Sequence, residues 1–142
     1  MILSHAWEGK KMKYAFTPEF YTGIEAIDKE HARLFEITNN AYDLLTNDFI
    51  PDKYDQISVI LEELREYTKT HFAHEEAYME SISYQKIWSQ KIQHAGFIKK
   101  LDSYDLKKID DTQRDSLLEI LDFLAKWLFG HIKGMDCKIP KN

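Results

Sequence analysis

His31, His71, Glu75, His94, His131 and Asp136 stand where helical periodicity asks for apolar core residues in this 142-residue sequence. Taking imidazole and carboxylate out of water is costly unless something binds them, so the pattern points to a metal centre. His71 and Glu75, four apart, project from one helical face at neighbouring heights and can bind one ion or bridge two. On a helix surface the same pair is an ordinary solvated contact; here it continues an apolar seam. His131 and Asp136, five apart, are separated by about 140° in an ideal helix. They converge only if the turn loosens into a wide or irregular form, which Gly134 between them permits. His74 follows no seam and reads as a surface imidazole or one just outside the cluster, and His5 reads as equally remote. Imidazoles with two carboxylates and no thiolate favour iron, manganese or zinc over copper(I) or an iron–sulfur cluster. The set is too large for one tetrahedral zinc but suits two ions sharing the carboxylates.

Four helices must position these groups. Ile27, His31, Leu34, Thr38, Ala41 and Leu45 alternate in steps of four and three, as do Ile57, Leu61, Leu64, Thr68, His71, Glu75 and Tyr78. Ile87, Gln90, His94, Phe97, Leu101 and Tyr104 make a third stripe, and Leu117, Leu121, Leu124, Leu128 and His131 a fourth, with Asp136 just beyond. The polar residues fall early, late, early and late along successive stripes, as an all-α, up-down-up-down antiparallel four-helix bundle requires. The helices are expected from about Ile24 to Asn47, Asp52 to Ser81, Gln85 to Leu106, and from caps at Asp110, Asp111 and Thr112 to Gly134. Pro51 suits a first helical position, and Ser83 and Tyr84 fill a short connection. Residues 1–22 lack this periodicity and read as an amino-terminal arm whose Phe16 and Phe20 pack over the bundle of residues 23–142.

A chain of this length forms one domain with a core of its own. Its formal charge of −5 argues against nucleic acid or an anionic membrane as partner. The most apolar run, Leu117 to Phe129, is interrupted by Glu119, Asp122 and Lys126, so it is a core helix rather than a membrane span. The start lacks the apolar length of a secretory signal, and the one cysteine, Cys137, reads as an idle thiol in a reducing compartment, which makes the cytoplasm the expected location. No Glu-x-x-His pair of the ferritin-like di-iron bundles and no His-Glu-x-x-His protease motif occurs.

The motifs Gly23-Ile24-x-x-Ile27-Asp28-x-x-His31, His71-Phe72-x-x-Glu75-Glu76-x-x-Met79, His94, and Trp127-Leu128-x-x-His131-Ile132-x-x-x-Asp136 together resemble hemerythrin, in its single-domain bacterial form. The resemblance spans nearly the whole chain from about Phe16. It implies a four-helix bundle with a non-haem di-iron centre, two iron ions joined by an oxo or hydroxo bridge, that binds dioxygen reversibly for storage, delivery or sensing. It assigns His31 and His71 to one iron, His94 and His131 to the other, and Glu75 and Asp136 to both as bridges. It also implies an oxygen pocket of Leu128, Phe72 and Trp127, which as plain core residues would look the same.

One position departs from the family. The second iron's third histidine, four residues before His94, is Gln90 here. Gln90 either coordinates through its amide oxygen, leaves an open position suited to peroxide or nitric oxide chemistry, or weakens that site until one metal is lost. The expected function is therefore an oxygen-binding protein rather than an enzyme, with a di-iron enzyme acting on peroxide or nitric oxide as the alternative. A metal-free interaction bundle is disfavoured, because its buried polar groups would be unpaired.

Overall fold

The computed structural model describes residues 12–141, and its regular structure is entirely helical, with no strand among the described residues. The helices are α1 (Glu25–Leu45), α2 (Tyr54–Ser81), α3 (Ile87–Asp102), a short α4 (Leu106–Asp111) and α5 (Gln113–Gly134), with 3-10 turns at Pro18–Phe20 and Asp136–Lys138. No helix of the described residues is long and apolar enough to cross a membrane.

The periodic stripes become the core. Leu34, Ala41, Leu61, Leu64, Phe97, Leu101, Leu117, Leu124 and Leu128 are buried in one apolar cluster. Thr38 and Thr68 join the same seams without cost, because their hydroxyls donate to the carbonyls of Leu34 at 2.8 Å and Leu64 at 2.6 Å. Neighbouring helices meet in opposite order. Along α2 and α3, Arg65 pairs with Asp102, Glu76 with His94 and Glu80 with Lys91. Along α1 and α5 with its trailing 3-10 turn, His31 meets Asp136 and Phe35 stacks on Phe129.

Three local expectations change. The second seam passes from Glu75 to Met79, which is fully buried, rather than to Tyr78, whose hydroxyl donates to the Pro140 carbonyl. An untwisted helix drifts by about 20° per heptad from a strict seven-residue repeat, so three heptads after Ile57 the accumulated drift of about 60° leaves Met79 nearer the seam than Tyr78. Helix α2 starts at Tyr54, two residues later than expected, and Pro51 lies in the turn before it. Asp110 and Asp111 fall inside α4 instead of capping the last helix, whose N-cap position is Thr112 with no side-chain cap bond; α4 itself is capped by Asp105, which accepts from Lys107 N at 2.9 Å.

Between α2 and α3, Ser83 adopts φ 53° and Tyr84 N donates back to Met79 O at 2.9 Å. This is a Schellman ending with serine in the left-handed position that glycine more often fills. Before α1, the Asp28 carboxylate accepts from Thr22 N, Thr22 Oγ1 and Gly23 N. The extended segment ahead of it is held by Asn39, which exchanges two hydrogen bonds with the Tyr14 backbone. Phe20 is buried against Phe35 and Ile132, and Phe16 packs on the same cluster. His5 and the first half of the expected arm lie outside the described residues.

Candidate metal centre

Helix α1 brings His31, α2 His71 and Glu75, α3 Gln90 and His94, and α5 with its trailing 3-10 turn His131 and Asp136 to one level of the interior. All seven side chains are buried. Asp136 arrives there by an ending rather than a widening of the helix. Gly134 stays helical, Met135 departs at φ −123° and ψ −56°, and Met135 N still donates to His131 O at 2.8 Å before the 3-10 turn begins.

The two carboxylates stand between the imidazoles. Glu75 Oε2 lies 3.0 Å from His31 Nε2 and 3.2 Å from His71 Nε2, while its Oε1 lies 3.2 Å from His94 Nε2. Asp136 Oδ2 lies 3.1 Å from His31 Nε2, and Oδ1 lies 3.1 Å from His131 Nε2. Two groups of donor atoms result, His31 with His71 and Glu75, and Glu75 with His94, His131 and Asp136, in each of which all the atoms lie within 4.8 Å of one another.

The outward nitrogens of three imidazoles are also fixed. His71 Nδ1 donates to Glu30 Oε1 at 2.7 Å, His94 Nδ1 to Glu76 Oε2 at 2.8 Å and His131 Nδ1 to Gln93 Oε1 at 2.7 Å. A proton held on Nδ1 leaves Nε2 as the atom that faces the cluster, with the ring locked in aim. Each acceptor sits beside a seam residue of the preceding helix: Glu30 before His31, Glu76 after Glu75, Gln93 before His94. Sequence reasoning missed all three, although a polar residue flanking each seam histidine or carboxylate was a signal for them. His74, 60% exposed, lies outside the cluster and shares Glu30 with His71, at 2.6 Å from Oε2.

Electrostatics follow from this geometry. Burial pushes the His71 pKa down, but Glu75 and Glu30 outweigh it and raise the value to about 9. His31 is raised in the same way, with Asp136 and Glu75 overcoming burial. Glu75 is held well below the usual carboxylate range, since the surrounding imidazoles outweigh its desolvation. Sites that attract protons this strongly attract cations for the same reason.

The polar atoms test the fit to a cation centre. Glu75 Oε1, Gln90 Oε1, His94 Nε2, His131 Nε2 and Asp136 Oδ2 are buried and make no well-formed hydrogen bond: four of them face an imidazole or carboxylate at 3.1–3.2 Å, and Gln90 Oε1 has no partner. Each such atom costs about 1–3 kcal/mol when left bare. Five of them, from five residues of one cluster and all of metal-ligating type, fit two cations bridged by carboxylates.

The expected pocket residues take different places. Phe72 lies parallel to His94, with ring centroids 4.0 Å apart and 6° between planes, and Trp127 stacks on His131 at 4.4 Å and 13°. Leu128 is buried in the main core cluster with Phe72, and Trp127 packs against that cluster.

Comparison with known proteins agrees. The hemerythrin HHE cation binding domain matches residues 22–139. The bacteriohemerythrin of Clostridium acetobutylicum is 46% identical over 123 residues, covering 87% of this chain and 95% of the relative. That of Pseudomonas aeruginosa strain LESB58 is 34% identical over 115 residues, 81% of this chain and 71% of the relative. The hemerythrin of Phascolopsis gouldii is 32% identical over 127 residues, 88% of this chain and 89% of the relative. No solved structure matches the chain significantly. With its buried cluster of imidazoles and carboxylates and a domain match across nearly its whole length, this chain belongs to the hemerythrin family.

Proposed function

We propose that the chain is a non-haem di-iron protein that binds dioxygen reversibly, built as an up-down-up-down bundle of α1, α2, α3 and α5. The observation that carries this is the cluster itself. Glu75 and Asp136 each present one oxygen to the His31 side and the other to the His94 and His131 side. In this reading His31 and His71 would hold one iron and His94 and His131 the other, with Glu75 and Asp136 available to both. When bound, the iron pair supplies reversible two-electron chemistry toward dioxygen. The chain's own residues provide the rest. Glu30, Glu76 and Gln93 orient three imidazoles, and Leu128, Phe72 and Trp127 exclude water from the apolar side of the centre. The single cysteine of the sequence suits a reducing compartment, and the cytoplasm is the proposed location.

Anaerobic loading with ferrous salt should give two irons per chain by elemental analysis. A visible absorption band should then appear in air and vanish under argon through repeated cycles. The rival reading, an enzyme acting on peroxide or nitric oxide, draws on Gln90 in place of an imidazole. It predicts instead a single irreversible spectral change with sustained turnover of added peroxide. Leu128→Ala should speed irreversible oxidation while leaving iron content at two.

A further inference from the structure

Gln90 uses the two ends of its amide unequally. Its Nε2 donates to Asp136 Oδ1 at 3.0 Å, while its Oε1 has no partner, in a side chain with no exposed surface. The orientation has a chemical cause. The flipped amide would set its oxygen against a carboxylate oxygen and break the only hydrogen bond the group makes. Asp136 therefore fixes the amide with its carbonyl oxygen unpartnered, in the site that also holds His94 Nε2 and His131 Nε2, neither of which makes a well-formed hydrogen bond. An amide oxygen is a neutral, hard donor that coordinates divalent ions.

We propose that Gln90 Oε1 is a fifth protein donor to the cation held by His94 and His131, aimed by its own N–H bond to Asp136. This rests on the two-cation reading above. The two sites then differ in kind. The His31 and His71 side offers two nitrogens and two carboxylate oxygens, and the His94 and His131 side offers those plus a neutral oxygen. A residue that only braced Asp136 would behave differently, because Asp136 faces both sides and its loss of aim would weaken both ions.

The test is an anaerobic titration of the chelator-treated full chain with cobalt(II), followed by its visible bands, which needs no reaction with oxygen. The wild-type chain is expected to take two equivalents. In Gln90→Leu one equivalent should weaken by about tenfold or more, with the other unchanged within about twofold. In Gln90→His, where an imidazole nitrogen replaces the amide oxygen, that same equivalent should tighten and its cobalt bands shift. Equal weakening of both equivalents in Gln90→Leu, or no change in either variant, overturns the assignment. A wild-type chain that takes fewer than two equivalents would instead remove the two-cation reading beneath it.

Discussion

Glu30 accepts the Nδ1 proton of His71 at 2.7 Å from a neighbouring helix, and this one contact fixes which nitrogen of the imidazole faces Glu75. The arrangement recurs around the interior. Glu76 of α2 holds His94 of α3, and Gln93 of α3 holds His131 of α5. Helices α1, α2 and α3 thus each carry an inward group and, one residue away, the acceptor for the next histidine-bearing helix's imidazole. The series stops at His31, whose Nδ1 is buried without a partner.

Removing one of these acceptors should cost cation affinity without removing a donor to the ions. Glu30→Ala is expected to weaken cobalt(II) binding by about 10–100-fold, as such outer partners do elsewhere. Glu30→Gln, which keeps an acceptor for Nδ1, should recover part of the loss. Equal affinities for all three proteins in a competition titration would show that ring orientation does not depend on Glu30.

Glu75 faces His31, His71 and His94 at once, so its charge serves both sides of the cluster. Glu75→Gln should reduce bound metal from two ions per chain to at most one, read by elemental analysis after desalting. Circular dichroism should show the helices intact, since Ile57, Leu61, Leu64 and Met79 keep the same helix buried in the core. Retention of two ions would contradict the bridging assignment.

The raised pKa values give a pH dependence with a definite sign. The folded His71 value of about 9 exceeds the ordinary 6.5, so protonated His71 stabilises the fold fully below pH 6.5, and this contribution disappears as pH rises through about 9. His31 acts in the same direction. Glu75, depressed below 4.5, contributes above that pH and ceases to do so as acid protonates it. The chelator-treated chain should therefore lose melting temperature between pH 6.5 and 9. Cations must displace the same protons, so loading at pH 7 should release acid, and affinity should climb with pH to about 9. A pH indicator in weak buffer measures the release directly; its absence would mean that the imidazoles are already neutral.

Phe97 is fully buried, and its ring meets those of Phe72, Trp127 and Phe123 at centroid distances of 5.6, 4.6 and 5.2 Å. Phe97→Ala should cost about 3–5 kcal/mol in urea unfolding, since close neighbours on several sides cannot all collapse into the space. A cost below about 1 kcal/mol would mean that the aromatic cluster repacks freely.

The primary sequence carried the helical class and the identity of the cluster, because both are properties of spacing. A polar residue in an apolar stripe is visible without knowing the stripe's neighbour, as His31 among Ile27, Leu34 and Thr38 shows. The family resemblance lay in the same residues, and the matched domain and relatives bear it out. Where a stripe drifts could not be read so simply. The passage from Glu75 to Met79 rather than Tyr78 depends on how far α2 winds before it meets its neighbours. The short α4 was hidden because Asp110 and Asp111 resemble caps as well as they suit a turn of helix.

Other features exist only once the helices are assembled. Glu30, Glu76 and Gln93 look like surface residues beside a seam; their partners are 41, 18 and 38 residues away and are chosen by the rotation and height of adjacent helices. The two ends of the Gln90 amide are equivalent in a sequence and become distinct only when Asp136 takes the nitrogen. Periodicity is a local property and survives in one dimension, whereas which atom of a side chain meets which partner is fixed by packing in three.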